Sequence, residues 1–370
     1  MNRKHLASWL HFVSIEGVGW STASKLLDHF QTPEAIFEAS KDSLKNIGAS
    51  QKLIDALANR ADITSYLDKL WSWLDESENN FVVTPMDSDY PSLLKQISSA
   101  PLILYGTGHR VLLNSPQLAI VGTRNPTPQG KQITADFAAT IAKRGVTITS
   151  GMALGIDGVA HQACLTAKGN TIAVAGTGLD RVYPARHKSL AHAIQNEGLL
   201  LSEYALGTQV RGSNFPRRNR IIAGMSLGVL VVEAAIKSGS LITAQYALEQ
   251  SREVFAIPGS IHNVLAKGCH QLIKEGAHLV ESADEILNEL GFLASAQSEL
   301  NQYGESARQE IEDLEESERE LLHNIDFSPL PIDDLVERCK KSVADLSPIL
   351  LTLELKGLIS SVAGGYQRQR

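Results

Sequence analysis

The sequence predicts an α/β protein whose core is an extended Rossmann-like parallel sheet, with a helical domain before it and a winged-helix domain after it. Three observations predict this class. From about residue 80 to 290, short β-branched runs alternate with longer amphipathic stretches, as in parallel strands joined by helices. Residues 1–75 show apolar positions at helical spacing. A polar, acidic linker at 292–316 precedes a last segment, 317–370, with helical and hairpin patterns.

The first segment, 1–75, is expected to fold as a small helical domain of the helix-hairpin-helix or SAM-like type. Residues 16–23 resemble a helix-hairpin-helix, in which glycines let backbone amides approach a phosphate at a helix N-terminus. Only a poor second copy follows, at residues 46–48. A tight turn between helices is therefore favoured over DNA contact.

The core is expected to span residues 80–290 and to contain nine strands. Nine strands exceed the six of a minimal dinucleotide-binding fold, so this Rossmann-like domain should be an extended one. The predicted strands are 81–84, 102–105, 118–121, 146–149, 171–175, 199–201, 228–232, 254–257 and 278–280.

The last segment, 317–370, is expected to form a winged helix. Its predicted elements are helices at 317–323, 332–339 and 345–356, a strand at 358–362 and a turn at Gly364-Gly365. Arg338, Lys340 and Lys341 could contact phosphates. Few basic residues lie along the presumed recognition helix, 345–356, so protein contact or packing is the favoured alternative.

Composition and charge limit the function classes. The 370 residues carry a formal net charge of -7, which argues against a protein that coats nucleic acid by total charge, so any DNA site must be a local basic patch. The apolar runs are far shorter than the roughly 20 residues of a membrane-spanning helix, and no membrane partner is expected. Cys164, Cys269 and Cys339 are few and far apart, which favours a reducing cytoplasm over a disulfide framework or zinc site.

A loop that could bind phosphate follows the predicted strand 118–121. Gly122 and Thr123 open a helical pattern, and Arg124 adds a bidentate donor for phosphate. The loop is not Gly-x-Gly-x-x-Gly, and Ser150-Gly151 follows the next strand where a dinucleotide site would have an acidic residue. A nicotinamide or flavin is therefore disfavoured, and no cofactor or metal is expected.

Two further strand ends should meet the Gly122 loop in one crevice, because carboxyl ends of parallel strands lie at the same sheet edge. Ser150 and Gly151, at the first of these strand ends, are candidates for DNA contact. After them, Asp157 and His161 stand four residues apart, and a structural hydrogen bond between them is favoured over an acid-base pair. The next strand end contributes backbone and basic candidates for phosphate contact, with a basic surface turn as the alternative. They are Gly176, Thr177, Arg181, Arg186, His187 and Lys188, of which Arg186 is the best placed.

The stretch 211–224 is the most informative in the chain. It places four arginines within ten residues around an aromatic ring, and single-stranded nucleic acid needs cations along its backbone and a ring against its bases. The candidates for DNA contact are Arg211, Asn214, Phe215, Arg217, Arg218 and Asn219. At least two of the four arginines should serve structure, and Arg218 or Arg220 could pair with Glu203 or Glu233. Phe215 could equally belong to the core.

A last candidate anion site follows the predicted strand 228–232. Ser238, Gly239 and Ser240 stand at a predicted helix start and can offer backbone amides to a phosphate. Glu233, at the strand end, could hold an arginine of the preceding stretch in position.

Taken together, these motifs resemble those of the DNA-processing protein A family (DprA/Smf) of bacterial natural transformation. Five motifs occur in the family's order over nearly the whole chain. They are Gly122-Thr123-Arg124, Ser150-Gly151-Met152-Ala153 with Gly155-Ile156-Asp157 and His161, Gly176-Thr177-Gly178-Leu179-Asp180 with Tyr183-Pro184, Asn214-Phe215-Pro216-Arg217-Arg218-Asn219-Arg220, and Ser238-Gly239-Ser240 with Thr243-Ala244.

The resemblance implies a core that forms a homodimer, binds and protects incoming single-stranded DNA, and helps to load the RecA recombinase. It implies no catalytic turnover. Arg124 matches the arginine of the family's first DNA-binding loop, and Phe215 matches its base-stacking aromatic. The lysine expected just before that aromatic is absent, and Arg211 or Arg217 is the candidate to replace it.

Two other functions stay open at this point. A nucleotide-processing Rossmann-like hydrolase of the lysine-decarboxylase-like group would share the glycine turns and a strand-end glutamate such as Glu233. However, the Pro-Gly-Gly-x-Gly-Thr run that holds a ribose phosphate in such enzymes is absent. A winged-helix regulator of duplex DNA is disfavoured by the acidic residues that flank the last domain.

Overall fold

The computed structural model describes residues 3–291, 316–325, 330–356, 358–362 and 365–368. By internal contacts the chain divides into two units, Met1–Gly291 and Phe292–Arg370. The predicted acidic linker, 292–316, lies outside the described residues except for its last residue, and the domain boundary near residue 75 to 80 stays a prediction. Within the described ranges, no helix combines the length and the apolar character that crossing a bilayer requires.

The first unit begins with a layer of short helices. Several start at a side-chain cap, because the hydroxyls of Thr32, Ser40 and Ser50 each accept a hydrogen bond from a backbone amide of the first turn. The core of these helices, with Trp9 at its centre, also includes Tyr105 of the sheet. The helices are α1 (Arg3–Ser14), α2 (Trp20–Phe30), α3 (Pro33–Glu38), α4 (Lys41–Asn46), α5 (Gln51–Ala58) and α6 (Thr64–Glu76).

The glycine turns singled out as helix-hairpin-helix candidates lie close together. Gly17 and Gly48 both adopt positive φ, at 90° and 81°, and both line one surface cleft with Lys25 and Lys52. DNA contact at this cleft stays a prediction.

The sheet contains all nine predicted strands, with ends shifted by a few residues. Its order is β1-β2-β6-β5-β4-β3-β7-β8-β9. The strands are β1 (Asn80–Val83), β2 (Leu104–Gly108), β3 (Gln117–Val121), β4 (Thr147–Ser150), β5 (Thr171–Val174), β6 (Leu199–Ser202), β7 (Gly228–Val231), β8 (Glu253–Ala256) and β9 (His278–Leu279).

The expectation of a parallel sheet is confirmed for seven strands and wrong for two. β1 pairs antiparallel with β2, and β2 pairs antiparallel with β6. Between β1 and β2 the described chain forms only a four-residue helix, α7 (Ser92–Lys95), and not the long crossover helix that usually joins parallel neighbours. Glycine at 106 permits the tight pairing, since a Cβ there would lie 2.2 Å from the Phe81 ring.

Helices cover both faces of the sheet, as a buried parallel sheet requires. Ile221 and Ile222 pack with Val121 and Val231 in one core. On the other face, Ile194 packs with residues of β5 and β6. The helices are α8 (Pro128–Lys143), α9 (Ile156–Thr166), α10 (Lys188–Glu197), α11 (Asn214–Met225), α12 (Gly239–Glu249) and α13 (Lys267–Lys274), with 3-10 turns at Arg110–Asn114, Ala185–His187 and Val264–Ala266 and a last helical stretch at 283–291.

The second unit confirms the predicted winged helix. Its own core includes Leu335, Leu346 and Leu353. A capping box between Ser342 and Asp345 starts the third helix. The predicted turn at Gly364-Gly365 lies partly outside the described residues. The elements are α14 (Glu316–His323), α15 (Ile332–Cys339), α16 (Val343–Leu355), β10 (Ile359–Val362) and β11 (Gly365–Arg368).

Candidate nucleic-acid interface

A cleft opens where the strand order of the parallel sheet reverses, between the adjacent strands β3 and β7. Loops leave the carboxyl ends of two such strands on opposite sides, which makes this the usual ligand crevice of an open α/β sheet. The cleft has a volume of about 790 Å³. We call it the strand-end cleft, and it contains both Arg124 and Phe215. The predicted convergence of the Gly122 loop and the arginine-aromatic segment is thus observed.

Glu233 fixes the Gly122 loop. Its buried carboxylate accepts hydrogen bonds from the Thr127 amide at 2.9 Å and the Thr127 hydroxyl at 2.6 Å, and its main-chain carbonyl accepts from the Thr123 amide at 2.7 Å. Thr127 in turn caps α8. The expectation that Glu233 holds an arginine is wrong, because both of its oxygens already serve Thr127. Its effect is to hold Arg124 at the cleft through the loop.

Arg124 extends from this loop into solvent at the cleft. Its side chain is exposed, and among the described residues it forms no salt bridge. A guanidinium in this state keeps its five donors for an external anion.

Phe215 forms an aromatic pair with Tyr183 in the cleft. Their ring centroids lie 5.3 Å apart, with an angle of 35° between the planes, and Tyr183 is 43% exposed. Gly176 lies behind the Phe215 ring, where a Cβ would approach within 2.9 Å of Cδ1. Phe215 is half-buried, so its burial does not decide between a core residue and a ring that stacks on a base, and base stacking stays a prediction.

Arg218 is buried beneath the cleft. Its Nη1 donates to the Gly151 carbonyl at 2.7 Å and also to the Val174 carbonyl, at the ends of β4 and β5. Burial lowers the pKa of its guanidinium to about 10, which leaves it charged at neutral pH. Burial also raises the pKa of the nearby Asp157 carboxyl, and the positive charge of Arg218 opposes that rise.

The favoured Asp157–His161 hydrogen bond is not formed. Asp157 instead accepts from the Gly151 and Ala153 amides, each at 3.2 Å, because its side chain turns back to the strand end that precedes α9. His161 Nδ1 contacts the Thr171 hydroxyl at 2.7 Å, and that hydroxyl donates to the Ile148 carbonyl. The ring therefore donates from Nδ1 and holds α9 against the sheet.

Two of the four arginines serve structure, as expected. Arg218 bridges two strand ends, and Arg220 forms a buried ion pair with Glu203. This confirms the predicted pairing of Arg220 with Glu203. Arg217 lies on the same side of α11 as Arg220, with its guanidinium 3.5 Å from the Glu203 carboxylate, but its side chain is 65% exposed.

The Ser238-Gly239-Ser240 segment starts α12 at the edge of the cleft. The Ser238 hydroxyl accepts from the Ser240 amide at 3.3 Å and contacts the Ser240 hydroxyl at 2.6 Å. Asn219 donates to the Gly239 carbonyl at 3.3 Å, which ties α11 to α12. The Ser240 amide, one of the donors predicted to bind a phosphate, is thus already bonded to the Ser238 hydroxyl that caps the helix.

The structure brings nine of the predicted site residues together and places the others around them. Lining the cleft are Gly122, Thr123, Arg124, Phe215, Arg218, Asn219, Ser238, Gly239 and Ser240. Buried behind it are Ser150, whose hydroxyl donates to the Ile120 carbonyl, with Gly151, Thr177 and Asn214, while Gly176 backs the Phe215 ring. Exposed residues outside the lining are Arg186, Arg211 and Arg217. The role of each in DNA binding stays a prediction.

Ten residues that line the cleft were not among the predicted contacts. Tyr183, Val210 and Pro216 line the cleft, and Tyr183 adds a second ring beside Phe215. The signal for Tyr183 is its position in the loop after the predicted strand 171–175, whose carboxyl end is expected near Arg124.

The described residues contain one group that could hold a metal, away from the cleft. Glu253, His278 and Glu289 place ligand atoms within 4.8 Å of one another.

Cys164 and Cys269 are buried, and burial raises the pKa values of their thiols to about 12 and about 11. Neither thiol is a nucleophile at neutral pH.

Comparison with known proteins places the chain in one family. The model of the family described as DNA recombination-mediator protein A matches residues 81–291, and the DprA winged helix domain matches residues 305–365. Protein Smf of Synechocystis sp. is 36% identical over 100% of both chains. Protein Smf of Escherichia coli is 45% identical over 80% of this chain and 79% of its own length.

Two solved structures are similar. DNA processing protein A of Streptococcus pneumoniae superposes with a TM-score of 0.66 at 36% identity, over 78% of this chain and 98% of that one. A Helicobacter pylori DNA processing protein A, whose structure is described as showing its single-stranded DNA binding mode, gives a TM-score of 0.52 at 31% identity, over 57% of this chain and 95% of that one. With its Rossmann-like core and winged helix, the chain belongs to the DNA recombination-mediator protein A (DprA/Smf) family.

Proposed function

We propose that this protein binds single-stranded DNA in the strand-end cleft and acts as a recombination mediator in the cytoplasm. It protects incoming DNA and helps to load the RecA recombinase during natural transformation. The observation that carries the proposal is the presence of Arg124 and the Phe215–Tyr183 pair in one open cleft. Family membership and the DNA-binding Helicobacter pylori relative support it.

The cleft suits an unpaired strand for a physical reason. Aromatic rings stack most readily on bases that are unpaired and unstacked, and each stacked base contributes about 1 to 3 kcal/mol. Arg124 supplies an exposed cation for the backbone phosphates. Arg186, Arg211 and Arg217 are also exposed and extend the cationic path in this proposal. The proposal needs no chemical step, and we assign no residue to turnover.

A strand bound here contacts exposed side chains and the backbone amides at a helix start. The exposed Arg124 and the ring of Phe215 bind phosphate and base directly. Ser238, Gly239 and Ser240 offer a helix start to a second phosphate. The cleft is supported from behind by the buried side chains of Ser150, Thr177, Asn214 and Arg218. The glycines at 122, 151 and 176 have no side chains, and a Cβ at any of them would collide with neighbouring side chains.

We further propose that the Rossmann-like core forms a homodimer through the edge of the sheet at β9. Leu279 on this edge strand is 47% exposed, and Ile261 and Val264 nearby in sequence are 67% and 68% exposed. An unpaired strand edge with exposed apolar side chains favours association with a second copy. Light scattering of the Ile261→Glu, Leu279→Glu double variant should show the monomer mass, and an unchanged mass would locate the dimer elsewhere.

The DNA-binding proposal is tested by titrating the protein against single and double strands at several salt concentrations. We expect preference for the single strand, with log Kobs falling as log salt rises by about 0.7 for each phosphate contacted. Arg124→Ala should weaken binding by about 1 to 3 kcal/mol and reduce the slope by about one contact. Arg144→Ala is the matched control, because Arg144 is exposed at the opposite end of α8.

Two results would contradict the proposal. One is equal affinity for duplex and single strand, which would favour a duplex regulator acting through the winged helix. The other is release of base from nucleoside monophosphates, which would favour a nucleotide hydrolase. RecA loading is measured separately, as the rate at which RecA assembles on a strand already covered by single-strand-binding protein.

A further inference from the structure

A second cavity, distinct from the strand-end cleft, lies between the helices of the N-terminal layer and the sheet. It has a volume of about 560 Å³, which is within the range of about 300 to 1,000 Å³ that small-molecule sites occupy. Trp20, Tyr66, Ile103 and Tyr105 contribute to its mainly apolar wall. We call it the helix–sheet cavity.

One end of the helix–sheet cavity is charged. Glu203, Arg217 and Arg220 line it and form one cluster, in which both arginines contact the Glu203 carboxylate. The cluster carries two positive charges and one negative charge, a net charge of +1. This end therefore favours a group with a single negative charge.

The buried ion pair at this end is incompletely satisfied. In the part of the chain that the structure describes, Glu203 Oε2 and Arg220 Nη1 are both buried and have no hydrogen-bond partner. Buried polar atoms are nearly always paired, since an unpaired one costs about 1 to 3 kcal/mol. The pair thus keeps one unused acceptor and one unused donor at the charged end of the cavity, and a ligand reaches them only when the two side chains move to admit it.

The helix–sheet cavity and the strand-end cleft share helix α11. Arg217 and Arg220, three residues apart on one face, line the cavity, whereas Phe215 and Asn219 line the cleft. Tyr204, next to Glu203, donates to the Asn214 carbonyl at the start of the same helix at 3.1 Å. A ligand in the cavity would therefore contact the helix that carries the cleft's aromatic ring.

We propose that the helix–sheet cavity binds one nucleotide. The aromatic wall stacks on a flat base, as Trp and Tyr rings do in nucleic-acid sites. Each of the four DNA bases presents an adjacent donor and acceptor on its Watson–Crick edge, which match Glu203 Oε2 and Arg220 Nη1. The phosphate pairs with Arg217, which is exposed. The nucleotide is either a free monophosphate or an unstacked residue of a DNA strand, and the site does not depend on DNA binding in the cleft.

The first experiment is calorimetric titration of the full chain with each deoxynucleoside monophosphate, with inorganic phosphate and ribose 5-phosphate as probes that lack a base. We expect all four deoxynucleoside monophosphates to bind and both base-free probes to bind at least tenfold more weakly. Ala205→Trp, which fills the cavity, and Ser99→Trp, at an exposed lining position, should each weaken binding at least tenfold. Val111→Trp, at a residue 83% exposed outside the cavity, is the control for an added tryptophan.

The outcomes separate this proposal from the one for the cleft. Binding that survives both cavity-filling variants but is lost in Phe215→Ala would overturn it, because the nucleotide would then lie in the strand-end cleft. Absence of binding by every monophosphate, together with no crosslink from a 5-iodouracil-substituted strand to Trp20 or Tyr66, would also overturn it. A crosslink at those residues identifies the strand as the source, and nucleotide binding without it identifies the free monophosphate.

Discussion

The ring of Phe215 packs directly against Gly176, so that a methyl group added at Gly176 would lie 2.9 Å from Cδ1 and 3.0 Å from Cε1 of that ring. The two residues belong to different parts of the chain. Gly176 follows β5, and Phe215 lies in the first turn of α11. The position of the Phe215 ring is therefore set by the absence of a side chain at Gly176 on the neighbouring loop.

The substitution Gly176→Ala should displace the Phe215 ring and weaken single-strand binding by about 1 to 3 kcal/mol, the value of one base stack. Fluorescence anisotropy with a labelled oligothymidine measures this change. Gly291→Ala is the control, because a Cβ there meets no atom within 4 Å. Unchanged affinity in Gly176→Ala would show that the ring does not stack on a base.

The substitution Arg218→Met should lower the free energy of unfolding by about 3 to 5 kcal/mol, because it leaves the buried Asp157 without its cation and two strand-end carbonyls without a donor. Urea unfolding measures this loss. Arg217→Met should change stability by less than about 1 kcal/mol, since that side chain is mostly exposed. A stable Arg218→Met protein with impaired DNA binding would make Arg218 a contact residue instead.

The substitution Glu233→Gln should loosen the Gly122 loop. It removes the charge from both hydrogen bonds to Thr127, and hydrogen bonds to a charged group are worth about 1.5 to 3 kcal/mol. We expect a lower unfolding midpoint in urea and weaker strand binding, because the same loop carries Arg124. Glu249→Gln, at an exposed position on α12, serves as the control and should change neither.

Acid should destabilise the fold through His161. Burial lowers the pKa of this histidine from 6.5 to about 3, so below pH 6.5 the unfolded chain binds a proton that the folded chain does not. The stabilisation is complete above pH 6.5 and is lost as the pH falls toward 3, by up to about 1.4 kcal/mol per pH unit. In His161→Asn the free energy of unfolding should depend less on pH between 6.5 and 4. Parallel pH profiles for the two proteins would contradict this assignment.

The sequence predicted the strands well because β-branched runs bounded by turn residues differ clearly from amphipathic helices. It did not predict the direction of β2, since strand direction depends on how the connection packs and not on the strand's own residues. The arginines were ambiguous for a similar reason. Arg217 and Arg218 are adjacent in sequence, yet the helical rotation at α11 exposes the first and buries the second.

The sequence predicts where the cleft lies better than it predicts which side chains are exposed in it. Strand-end loops of a parallel sheet must meet at one edge, which is why Arg124 and Phe215 were expected together. Which side chains are buried there depends on tertiary packing. Ser150 resembles a ligand-binding serine in sequence, but its hydroxyl is committed to the Ile120 carbonyl.

The two hydrogen bonds from Arg218 to the ends of β4 and β5 have a kinetic consequence. Helix α11 cannot tilt away from the sheet without breaking both bonds inside the protein, so the surface that holds Phe215 is already in place before any encounter. In the proposed complex, the loss of conformational freedom on binding then falls mainly on the single-stranded DNA. Association should accordingly follow a single bimolecular phase, with an observed rate that rises linearly with oligonucleotide concentration and does not reach a plateau.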